Sequence, residues 1–190
     1  MVKKIAVGAV LGGLAAFIWG AFFWMALPFG DMIITQPEDE TSLLDRLRTS
    51  LPETGVYFLP DLREDPSDQD YPHRFQRGPV VQIFYRYPGV PYQSLWMFAA
   101  GYVHLVVSAG LMGILLAWAG PRLPKYGDRL KFVILVGVMI AFYANLLNPI
   151  WFHHPLDYHL MVSIDTICTW TAIGAVLAQV VQPAGESGEV

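Results

Sequence analysis

Charge is what this sequence has least of. Only 15% of its 190 residues are Asp, Glu, Lys or Arg, and four long stretches hold almost none of them. The 12 basic residues are too few and too dispersed to form a phosphate-binding face, which excludes a nucleic-acid partner. Cysteine is nearly absent as well. Cys168 has no partner in the chain, so no internal disulfide can staple any part of it, whatever the compartment. It lies in an apolar block, where a thiol is a quiet nucleophile. No G-x-S-x-G turn is present for acyl transfer. The acidic run "DLREDPSDQD", with Asp61, Glu64, Asp65, Asp68 and Asp70, lacks the D-x-D-x-D-G spacing of a calcium loop and reads as a solvated turn.

What is present is apolar. Hydrophobic residues make up 54% of the chain and aromatics 14%, gathered in four blocks: Ile5 to Phe29, Ser94 to Gly120, Leu130 to Phe152 and Tyr158 to Val181. Each exceeds the roughly 20 residues that carry a helix across about 30 Å of hydrocarbon. The expected fold is therefore an all-α integral membrane protein of four transmembrane helices, with a small α+β extracytoplasmic insertion between the first and second. The expected division is 1–29 for the first helix, 30–93 for the insertion, 94–182 for the other three helices and 183–190 for a polar tail. The first block is too long for a signal-peptide core and "FFWMALPFG" offers no cleavage site, so it reads as an anchor. Lys3 and Lys4 precede it, and Arg122, Lys125, Arg129 and Lys131 crowd the segment between the second and third blocks. The positive-inside rule then places both termini in the cytoplasm and residues 30–93, with 11 acids against 6 arginines, outside.

Gly8, Gly12, Ala16 and Gly20 recur every four residues along the first block, a smooth stripe on which another helix can pack. Trp19, Trp24, Trp96 and Trp151 stand towards the outer ends of three blocks and read as an interfacial belt. In the insertion, "TQPEDETSLLDRLRTSLP" predicts an amphipathic helix with Thr35 as cap, Pro37 near its first turn and Leu43, Leu44, Leu47 and Leu51 on one face. "GVYFLP" and "PVVQIFYRYP" are β-prone and predict a two-stranded hairpin, marginal unless it leans on something else.

Polar side chains inside the blocks carry the most information, because each is costly there. At 1.5 Å per residue, Asp165, Asn145 and His104 lie about 10, 12 and 15 Å below the outer surface. Adding the neighbours on the same helix faces predicts a buried cluster of His104, Asn145, Asn148, Asp165 and Thr169. Such a cluster either fixes helix register or carries protons or a small polar ligand. The stretch "NPIWFHHPLDYHL" reads as a turn at the outer surface. His153, His154, Asp157 and His159 there are candidate zinc or copper ligands, although the spacing matches no standard set. Haem would need axial histidines on facing helices, and only His104 is well inside. No cofactor is predicted.

The run "WGAFFWMALP", followed by "LPETGVYFLP" and three further spans, resembles uncharacterised small four-helix inner-membrane proteins of bacteria. That resemblance implies a bacterial inner-membrane location and brings no chemistry with it. The leading expectation is a non-catalytic accessory or assembly subunit that stabilises a larger membrane complex, with membrane lipids and other integral subunits as partners. The alternative is a small enzyme or a proton or solute transporter centred on His104, Asn145 and Asp165, with a metal at the histidine turn.

Overall fold

In the computed structural model, residues 1–61 and 67–182 are described. Glu64 and Asp65 of the acidic run and the polar tail 183–190 lie outside them. In chain order the elements are α1 (Val2–Ala21), which continues into a π-helical turn Phe22–Ala26, then α2 (Phe29–Ile33), α3 (Glu40–Ser50), β1 (Gly55–Leu59), α4 (Tyr71–Arg77) and β2 (Val81–Tyr85). After these come α5 (Leu95–Ala119), a 3-10 turn Gly120–Arg122, α6 (Tyr126–Ile140), a second π-helical turn Ala141–Asn145, α7 (Leu147–Phe152) and α8 (Leu156–Val180). The chain divides into two compact units, Met1–Ile34 with Gln93–Val190, and Thr35–Tyr92.

Four helical segments of the first unit, Val2–Ala26, Leu95–Arg122, Tyr126–Phe152 and Leu156–Val180, are long and apolar enough to cross a membrane. The third starts four residues before the apolar block at Leu130. Its opening turn, with Asp128 near the positive end of the helix dipole, is helical but polar, so apolar counting misses it. The helices stand in a row. α1 packs along both α5 and α8, and α8 along α6, whereas α5 and α6 scarcely meet. The fold's core is formed by Ala16, Ala109, Met112, Leu116, Val133, Ile173, Leu177 and Val181.

Glycine makes the close approaches possible. A Cβ on Gly8 would fall 2.8 Å from Leu177, and one on Gly13 would fall 2.9 Å from the backbone nitrogen of Val106, so α1 and α5 meet backbone to backbone. Gly12 and Ala16 sit in the same contact, but Gly20 faces open space. On the other side of α8, Gly137 makes room for Trp170 and Gly174 for Val133. At the end holding the N terminus, the Arg129 guanidinium is 2% exposed. It donates to the carbonyls of Ala178 (2.9 Å), Leu123 (3.1 Å) and Pro124, which ties the α5–α6 turn to the last turn of α8.

In the second unit, α3 begins at Glu40 rather than near Thr35, because the Asp39 carboxylate accepts from the Ser42 amide at 3.0 Å and so provides the cap. β1 and β2 pair antiparallel with Val56 opposite Phe84 and Tyr57 opposite Ile83. They are separated by α4, a seven-residue polar helix that no apolar period announces. Its arginines hold two acids of the neighbouring run: Arg77 reaches Asp70 at 2.5 Å, and Arg74 pairs with Asp68. Thr54 Oγ1 both accepts from the Tyr87 amide and donates to its carbonyl, fastening the ends of the ladder. Leu51, 8% exposed, is the one buried side chain among the described residues of this unit.

A candidate functional site at two π-helical turns

α8 runs between α1 and the α6–α7 segment and carries the two residues around which the polar groups gather. Asp165 and Thr166 are adjacent in sequence and, at about 100° per residue, point to different neighbours. Asp165 faces α1. Trp19 Nε1 donates to its Oδ1 and Trp24 Nε1 to its Oδ2, each at 2.9 Å. In a regular α-helix residues five apart diverge by about 140°. The π-helical turn at Phe22–Ala26, closed by the Leu27 amide on the Phe22 carbonyl at 3.2 Å, widens the helix so that Trp24 comes round to the side of Trp19. Both oxygens of Asp165 are thereby matched to donors.

Thr166 faces the other way. Its hydroxyl donates to the Val162 carbonyl at 2.8 Å and accepts from Asn145 Nδ2 at 3.1 Å. Asn145 ends the second π-helical turn. Asn148 then donates to the carbonyls of Ala144 (2.9 Å) and Asn145 (3.2 Å), satisfying backbone groups that the change of helical pitch leaves over. Each of the helices flanking α8 thus widens by one π turn where it presents a polar side chain to it, a setting in which π-bulges are common.

The five residues expected to cluster are therefore divided. Asn145 and Asp165 join the layer on α8. Thr169 lies 3.5 Å from Asp165 Oδ1, a long contact. Asn148 serves its own helix. His104 is on α5, exposed, on the far side of α1, and its ring makes no hydrogen bond among the described residues. Equal depth had grouped it with Asp165, but α1 stands between their helices. Trp19 and Trp24, read as belt residues, are instead the partners of the acid, and Thr166 was not singled out at all. Their five-residue spacing carries no helical signal unless the π turn is known. Trp96 and Trp151 remain exposed.

The chemistry open to this layer is narrow. An indole N–H donates and does not titrate, so the two groups bonded to Asp165 cannot pass a proton on. Charge-assisted bonds from fixed donors do lock the rotation of α1 against α8.

At the turn between α7 and α8, His154 Nδ1 and His159 Nε2 are 3.0 Å apart, with their rings stacked at 5.1 Å. His159 is buried, and its Nδ1 has no partner among the described residues. His153, held at φ 56°, and Asp157, whose carboxylate accepts from the Tyr158 amide at 2.8 Å, are exposed and apart from the pair. The turn brings two of its four candidate ligands together. Among the described residues no three His, Cys, Asp or Glu side chains stand in an arrangement that would hold a metal ion.

A cleft of about 470 Å³ lies between α1 and the first half of α5, lined by Phe17, Trp24, Met97 and Phe98, with Gly20, Gly101 and His104 also facing it. A Cβ on Gly20 or Gly101 would meet nothing within 4 Å.

Compared with protein-family models, with curated proteins and with solved structures, the chain matches none.

Proposed function

We propose that the protein is a non-catalytic subunit of a larger membrane complex. On this reading it sits in a bacterial inner membrane with both termini in the cytoplasm and residues 30–93 outside. The observation that carries the reading is the two-strand ladder. One face bears Tyr57, Leu59, Val81, Ile83 and Tyr85 and the other Val56, Phe58 and Phe84 with Gln82 as its polar member, so both faces are mainly apolar, as in strands covered on two sides. Phe84 is 73% exposed, and among the described residues of its unit only Leu51 is buried. Two strands with no core of their own are marginal, and a partner that covers them supplies what the sequence leaves out. The outer strand edges also offer main-chain groups for pairing.

Orientation rests on the basic residues. Lys3, Lys4, Arg122, Lys125, Arg129 and Lys131 gather at one end of the helical unit, where Ile5 lies against Gly113, and cytoplasmic ends carry such an excess. The rival, an enzyme or transporter centred on His104, Asn145 and Asp165, requires those groups within reach of one another. His104 is on the far side of α1, and both Asp165 oxygens are engaged by indoles.

Native mass spectrometry of the full chain, gently solubilised from its own membranes, tests the reading. A stoichiometric assembly with other integral proteins is expected, and it should dissociate when Val56→Asp and Phe84→Asp are combined while the four-helix unit keeps its helicity. A lone chain, or a complex indifferent to those two changes, overturns it.

A further inference from the structure

We propose that the cleft between α1 and α5 binds a lipid-soluble ring compound bearing a carbonyl oxygen, of the quinone class, with that oxygen accepting a hydrogen bond from His104. The inference goes beyond the subunit reading and does not depend on it.

The first ground is an imidazole without a partner. His104 stands nine residues into α5, roughly 14 Å from its start, on a segment long and apolar enough to span a membrane. An unmatched polar ring at that depth is costly, and neither lipid chains nor the described residues of this protein offer it a partner. The second ground is the shape of the space it faces. About 470 Å³ falls in the range of small-molecule sites, which are mostly apolar with a few polar groups that set orientation. Phe17, Trp24, Met97 and Phe98 supply flat and polarisable walls suited to an aromatic or quinonoid ring. Gly20 and Gly101 leave the middle open.

Two other occupants fit less well. A transmembrane helix about 10 Å across needs a smooth face of small residues. Here bulky walls stand on two helices already in backbone contact at Gly13 and Val106. A lipid acyl chain would fill an apolar cleft, but it has no use for an imidazole.

The test titrates the full-length protein, in nanodiscs of fixed lipid composition, with decylubiquinone, and reads bound probe against empty nanodiscs. Saturable binding of one probe per chain is expected. Gly101→Leu adds a side chain into open space, so helicity and melting should be retained while affinity falls at least tenfold. His104→Phe should weaken binding roughly fivefold to tenfold, the scale of one hydrogen bond, and His104→Gln, which can still donate, should recover most of it. Uptake no greater than partition into empty nanodiscs overturns the proposal, as does equal binding by Gly101→Leu. A loss in Gly101→Leu with none in His104→Phe also overturns it, by assigning the cleft to an acyl chain.

Discussion

α1 has two sides, and they treat polar groups differently. Towards α8, the Asp165 carboxylate is answered by the indoles of Trp19 and Trp24. Towards α5, His104 faces a cleft and is answered by nothing among the described residues. An unmatched polar group is costly on either side of a membrane helix. Where the protein supplies the partner itself, the group acts as a fastener. Where it leaves the partner out, the group is available to something else.

Removing the fastener is the strongest way to break this contrast. Asp165→Leu strips two indole donors of their acceptor and should cost about 3 kcal/mol of stability, whereas Asp165→Asn keeps an acceptor for one of them and should cost about 1 kcal/mol. Unfolding of the purified protein in mixed micelles measures both, and equal costs would mean that the carboxylate is not the tie. Replacing the donors singly gives a smaller effect. Trp19→Phe should lose about 1 kcal/mol and Trp24→Phe less, because Trp24 is the more exposed, and a double-mutant cycle with Asp165→Asn should show coupling for each pair. The weakest effect belongs to the other side. His104→Phe in ligand-free protein should change stability by less than about 0.5 kcal/mol, since no bond is lost. A large loss there would reveal a partner and erase the contrast.

Much of the four-helix frame is legible in the sequence, because a helix long and apolar enough to cross a membrane leaves a signal in nearly every residue. The depth of the polar residues is legible too, since rise per residue is fixed. Lateral order is not. Hydropathy says that Asp165 and His104 lie at similar levels but carries no information on which helices are neighbours, so the row α5, α1, α8, α6 could not be read. The π-helical turns are equally silent, because an extra residue in a turn changes no composition, and with them went the roles of Trp24 and Asn145. Gly13 was overlooked beside the four-residue stripe, although it makes the tighter contact with Val106. In the second unit the strands are legible from their β-branched and aromatic runs, whereas α4 is not, since seven residues with only Tyr71 and Phe75 as large apolar members are too short for a period to show.

The row order also has a consequence in time. α1 precedes both of its neighbours, α5 and α8, in the chain, and the bond from Trp19 to Asp165 spans 146 residues. α1 can meet α5 once residue 119 has been made, whereas its seam with α8 must wait for the last of the four spans. α6 and α8, joined through the second π-helical turn and α7 and held at their other end by Arg129, can meet as soon as they exist. The seam between α1 and α8 is then the last to close, because its contacts are the most distant in sequence and demand the greatest loss of chain freedom.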